Sequence, residues 1–105
     1  MVQAMYLGKP VIATGYSGNL DFMNSGNSLL VDYEMIELHE DAGAYERGSH
    51  WAAPNVEQAA GFMRYAYEHQ EEGRALGRRA AADVRQTLDP ARTAAEIQQR
   101  VRELE

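Results

Sequence analysis

The most informative apolar run near the start of the chain is Val11-Ile12-Ala13, set between Gly8-Lys9-Pro10 and Thr14-Gly15-Tyr16-Ser17-Gly18-Asn19. A short unbroken run between turn residues predicts a strand buried on both faces, the form strands take in a parallel sheet. Gly8 suits the left-handed close of a helix, and Pro10 cannot continue one. Residues 1–7, with Val2, Ala4, Met5 and Leu7 apolar, are therefore predicted as the last turns of a helix. No capping residue precedes them, so the chain reads as part of a longer domain. A second buried strand is predicted over 28–31, after the turn cluster Asn24-Ser25-Gly26-Asn27. Between the strands, Asn19 is placed to cap a short helix over 20–23, with Asp21 in its first turn. Strand, short helix and strand then make a parallel unit.

Past that unit the pattern loosens and then turns helical. Residues 33–40 alternate unevenly and predict an edge or a surface arm. Residues 41–54 hold Gly43, Gly48 and Pro54 and form the longest irregular stretch, one long enough to be functional or mobile. Trp51 is expected to pin it by burying its indole in the core. Asn55-Val56-Glu57-Gln58 resembles a capping box, opening a helix whose face is Val56, Ala59, Ala60, Met63 and Tyr67. A second helix over 71–88 aligns Leu76, Ala80, Val84 and Leu88. Asp89-Pro90 opens a third, with a stripe of Ala94, Ile97, Val101 and Leu104 and an ion pair between Glu96 and Arg100. The fold class is α/β: a single partial domain over residues 1–105, a small parallel sheet with flanking helices, burying roughly 65% of its unfolded surface.

Composition narrows the partners. A net charge of -6 argues against nucleic acid and anionic membranes. With no cysteine there is no disulfide framework, no thiolate metal site and no thiol nucleophile, which fits a cytoplasmic setting. No apolar run approaches the roughly 20 residues of a membrane span. His39, His50 and His69 lack the spacing of a metal site and are read as surface residues. Arg74, Arg78, Arg79 and Arg85 interleave with Glu71, Glu72 and Asp83, which predicts a solvated face rather than an anion-docking one. Gly15-Tyr16-Ser17-Gly18 has the outline of a nucleic-acid-clamping loop, but its flank is Asp21 rather than basic residues. The Gly-Lys-Ser/Thr of a phosphate loop is absent.

The turn over 14–19 lies at the carboxyl end of the first strand, where ligands sit in open α/β sheets. On spacing alone the plainer reading, a strand-to-helix turn with no ligand, is favoured. Gln3-Ala4-Met5, Leu7-Gly8-Lys9-Pro10-Val11-Ile12-Ala13-Thr14 and Ser17-Gly18-Asn19-Leu20-Asp21-Phe22 together say more. With Asn27-Ser28-Leu29-Leu30-Val31 and Trp51-Ala52-Ala53-Pro54, they resemble the carboxyl-terminal domain of group 1 retaining glycosyltransferases, enzymes of two Rossmann-like domains. The resemblance covers about the first two-thirds of the chain. It implies a partial Rossmann-like, nucleotide-sugar-binding domain, with mannosyl transfer among the reactions it admits.

In that family two glutamates flank a glycine-bearing turn. The second accepts from the ribose hydroxyls, and helix-start amides hold the diphosphate. The matching position here is Gln3, which can accept one hydroxyl but lacks the charge that strengthens such bonds. The first glutamate has no counterpart in these residues, so the chain alone is expected to be inactive. The candidate substrate-binding residues are Gln3, Thr14, Gly15 and Asn19, with no catalytic residue, metal or cofactor assigned. Two further readings stand beside this one: a non-catalytic interaction or scaffold module, and a small nucleotide-binding protein using only the 14–19 turn. A sheet edge, the 1–7 helix and the terminal stripe also predict a homo-oligomer built on those surfaces.

Overall fold

A computed structural model describes residues 1–105. It is a mixed α/β structure. Helix α1 (Val2–Tyr6) leads into strand β1 (Ile12–Thr14), a 3-10 turn over Ser17–Asp21 and strand β2 (Leu29–Val31). Strands β3 (Tyr33–Glu37) and β4 (His50–Pro54) follow, then helices α2 (Val56–Glu68), α3 (Gln70–Thr87) and α4 (Pro90–Glu103). β1 and β2 pair in parallel, Ile12 opposite Leu29 and Thr14 opposite Val31. β3 and β4 form a separate antiparallel hairpin, Tyr33 opposite Pro54 and Glu37 opposite His50.

The core lies where α1 and β1 meet α3. Met5, Val11, Met23, Ala80 and Val84 form it, with Ala4, Ala13, Phe22 and Leu30 packed on its margin. Glycine makes the closeness possible. Gly8 ends α1 at φ +74°, and its carbonyl rests directly on Gly77 of α3, where a Cβ would overlap it. Polar groups lock the same region. Asn27 is almost fully buried; its amide donates to Asp83 Oδ2 (2.9 Å) and to the Phe22 carbonyl (3.2 Å). Its Oδ1 accepts from the Asn24 amide (2.9 Å) and the Ser28 hydroxyl (3.0 Å), so no buried polar atom of this turn is left unpaired.

Two of the arginines on α3 do more than meet solvent. Arg79 Nε donates to the Gly26 carbonyl (2.8 Å). Arg85 donates to the Tyr6 carbonyl (3.3 Å) and lies 4.8 Å from the Tyr6 ring centroid. Both side chains tie the first third of the chain to α3. At the α2–α3 junction the Tyr65 hydroxyl donates to the Glu72 carboxylate. That bond raises the phenol pKa above 10.0, because ionisation would set two negative oxygens together. Its contribution to stability is complete below the ordinary tyrosine range and is lost as pH rises through it.

Several expectations need correcting. Residues 41–54 are not irregular throughout, since 50–54 form β4. Trp51 is not buried in the core: it stands in β4, 39% exposed, edge-on to Tyr45 with ring centroids 6.0 Å apart. The α2 face is rolled from the one predicted. Val56, Met63 and Tyr67 point outward, while Ala59, Phe62 and Ala66 are half-buried. The roll follows from Gln58, whose Oε1 accepts from the Asp32 amide (2.6 Å) and whose Nε2 donates to Asp32 Oδ2 (3.1 Å). Only half of the capping box forms as a result: Asn55 accepts from the Gln58 amide (3.0 Å), and the Gln58 side chain goes elsewhere. Asp89 caps α4 by accepting from Ala91 (3.0 Å). Glu96 pairs with Arg92 (3.0 Å), one turn ahead of it, and Arg100 with Glu103 (3.2 Å), so the Glu96–Arg100 pair does not form. The stripe on α3 is buried at Leu76, Ala80 and Val84 and opens at Leu88, beyond the helix end.

Candidate functional site

At the carboxyl end of β1 the chain opens a groove of about 490 Å³. One wall comes from β1 and the turn after it, with Ala13, Thr14, Tyr16 and Asn19. The other comes from the hairpin, with Tyr45, His50, Trp51 and Ala52, and Met1 closes one end. The backbone explains why these walls face each other. The Gly15 amide donates to the Val31 carbonyl (2.9 Å), extending the parallel pairing one residue past Thr14. The chain then bends at Ser17, a non-glycine residue at φ +67°. That is a costly conformation for a side-chain-bearing residue, and such residues concentrate at functional loops. Neither Gly15 nor Gly18 takes the left-handed conformation.

Asn19 does not cap a helix. It sits inside the 3-10 turn, whose N-cap is Tyr16, and its Nδ2 donates back to the Thr14 carbonyl (2.9 Å). A side-chain amide closing a strand-to-turn connection on itself competes with capping, a common use of Asn. Asn19 Oδ1 and the Thr14 hydroxyl have no protein partner, and both residues line the groove. They are free to bond a ligand hydroxyl.

Of the four predicted site residues, Thr14 and Asn19 come together in the groove. Gly15 lies just behind them, its Cα facing the Leu30 side chain at ordinary contact distance for an added Cβ (3.4 Å). Gln3 is exposed on α1 and does not line the groove. Sequence reasoning missed Tyr16, Tyr45, His50 and Trp51. Tyr16 and Tyr45, outside the strands and near Gly15 and Gly43, offered a clue; His50 and Trp51 reach the groove from β4 and offered none.

The chemistry of the lining is specific. It includes four aromatic rings, and the Tyr16 and Tyr45 hydroxyls join Thr14 and Asn19 as hydrogen-bonding groups, but there is no carboxylate, lysine or arginine side chain. Such a surface suits the face of a neutral polar ring, with hydroxyls directed at Thr14 and Asn19. It offers no lysine or arginine for a diphosphate, His50 is the one imidazole in the lining, and no His, Cys, Asp or Glu cluster is gathered to hold a metal ion. No helix is long and apolar enough to cross a membrane. Comparison with protein-family models, with curated proteins and with solved structures finds no match.

Proposed function

We propose that this chain is the portion of a Rossmann-like, cytoplasmic donor domain that receives the ring end of a nucleotide sugar. In its whole form that domain would serve a retaining glycosyltransferase moving a hexosyl unit. One observation carries the reading: an aromatic-lined groove with Thr14 and Asn19 open to a ligand, at the carboxyl end of a parallel strand. The resemblance of residues 3–22 to group 1 glycosyltransferases supplies the substrate class. On this reading the 105-residue chain is a binding element, its groove carrying no carboxylate, lysine or arginine. A second reading, a non-catalytic interaction module of the same ancestry, is favoured by the uncovered apolar stripe of α4.

The test uses the chain's one tryptophan, Trp51, which lines the groove. Titration with GDP-, UDP- and ADP-sugars, read by Trp51 fluorescence, should give a saturable change for one of them. Asn19→Ala should weaken it about tenfold, the loss of one good hydrogen bond. No change with any nucleotide sugar overturns the donor-domain reading. Sugar transfer above a blank by the purified chain overturns the binding-only part of it.

A further inference from the structure

We infer that the groove between β1 and the hairpin takes a neutral oligosaccharide, with no nucleotide or phosphate attached, and that Tyr45 and Trp51 are its stacking platform. The inference rests on the ring-binding part of the reading above and needs nothing of the nucleotide. It starts from the rings. Tyr16, Tyr45 and Trp51 line the groove and stay open to solvent, at 40%, 57% and 39%. Three large rings in one groove leave apolar surface that a ligand can remove from water. They are also held in place. Tyr16 meets Tyr33 edge to face with centroids 5.0 Å apart, and Tyr45 meets Trp51 in the same way at 6.0 Å. A ring braced by another ring loses little freedom when a ligand arrives, and the edge-to-face arrangement leaves ring faces unstacked.

A sugar ring carries the two kinds of surface that match this lining. The hydrogens of its C–H faces are slightly positive, which suits the negative face of an aromatic ring. Its rim is a set of hydroxyls, each both donor and acceptor. They suit the Thr14, Tyr16 and Tyr45 hydroxyls, the Asn19 amide oxygen and the His50 imidazole. At about 490 Å³ the groove has the size of a small-molecule site. Tyr16 stands on one wall and Tyr45 and Trp51 on the other, so a chain of sugars has more than one ring to meet. That favours an oligosaccharide over a single sugar.

Charge decides against the nucleotide as the part recognised. The segments that build the walls, residues 12–21 and 33–54, carry Asp21, Glu34, Glu37, Glu40, Asp41 and Glu46 against the single Arg47. In a chain of net charge -6, their field repels a diphosphate and leaves a neutral ligand untouched. No lysine or arginine lines the groove to offset that repulsion. In a whole donor domain the diphosphate would have to be held outside this groove.

The test titrates the purified chain with maltotriose, cellotriose, mannotriose and chitotriose, read by Trp51 fluorescence, beside UDP, GDP and ADP. At least one trisaccharide should give a saturable shift at millimolar concentration, and the nucleoside diphosphates none. The affinity should hold constant between about 0.05 and about 0.5 M salt, because screening does not act on an uncharged ligand. Tyr45→Ala changes an exposed side chain, so circular dichroism should stay the same while binding weakens about tenfold. Tyr45→Phe keeps the ring and should weaken it less. Tyr67→Ala, on α2 and outside the groove, should change nothing. No saturable shift with any of the four overturns the inference, as does a nucleoside diphosphate that displaces the trisaccharide. Equal effects of Tyr45→Ala and Tyr45→Phe also overturn it, because the ring is then not the contact. A nucleotide sugar that binds where all four trisaccharides fail removes this inference and leaves the donor-domain reading standing. A trisaccharide that binds where every nucleotide sugar fails does the reverse.

Discussion

Helices α3 and α4 have much in common in sequence and opposite fates in the structure. Each carries an aliphatic stripe at helical spacing and ends in a basic residue or two near its carboxyl terminus. On α3, Ala80 and Val84 are fully buried; on α4, Ile97, Val101 and Leu104 are all more than half exposed. The difference is in the residues around the stripe. α3 sets Gly73 against Pro10, Gly77 against the Gly8 backbone and Ala80 against Met5, so that backbone can meet backbone at Gly77. Its Arg79, Asp83 and Arg85 then hold the turn at 24–27 and α1 by hydrogen bonds. α4 has no glycine, and its charged groups bond mostly within the helix. An apolar stripe says that a face needs cover. Small residues and outward-reaching polar groups say that the same chain provides it.

The sharpest way to break this comparison is to excavate the side of it that is packed. Met5 is fully buried against Val11, Met23, Ala80 and Val84. Met5→Ala should cost about 2–5 kcal/mol, read from urea unfolding, and a small chain with so few buried residues has little to spare. A loss near zero would mean that α1 is not docked on α3.

Next in size is the glycine contact. Gly77→Ala drives a Cβ into the Gly8 carbonyl, and backbone there must move, which should cost about 1–3 kcal/mol. Gly61 of α2 is the control, because a Cβ there meets nothing within 4 Å. Gly61→Ala should stabilise by about 0.4–1 kcal/mol through reduced freedom of the unfolded chain. The two substitutions are chemically the same and should have opposite signs. Equal effects would remove close approach as the reason α3 is packed.

The hairpin supplies an intermediate case. A buried Trp51 would make Trp51→Ala cost about 3–5 kcal/mol. With the indole 39% exposed and open to the groove, no closed cavity forms, and the expected loss is about 1–2 kcal/mol. Thermal melting separates the two values.

These cases also show what could be read in the sequence. β1, β2 and their parallel pairing were legible because both are short apolar runs between turns, and the caps Asn55 and Asp89 because capping depends on local geometry. β4 was not, because Trp51-Ala52-Ala53-Pro54 has no period-two alternation and its partner β3 is exposed along its whole length. The roll of α2 was lost for a similar reason: it is set by Gln58 reaching Asp32, 26 residues away, which no local pattern encodes. Half of the candidate groove went unseen in the same way. Thr14 and Asn19 follow the strand directly, whereas Tyr45 and Trp51 reach them only through hairpin pairing.

The smallest expected effect tests the comparison most directly, because it uses one substitution on both helices. Val84→Ala removes two methyl groups from a fully buried site, and the lost transfer energy plus the cavity should total about 2–3 kcal/mol. Val101→Ala removes the same two methyls from a side chain 53% exposed, where the alanine also favours the helix. In a dilute, single-chain sample its cost should fall within about 0.5 kcal/mol of zero. Urea unfolding of the two variants side by side reads the difference, because the Val84 contacts are internal and the Val101 side chain has none to lose. Equal costs at the two positions would remove packing as what distinguishes α3 from α4.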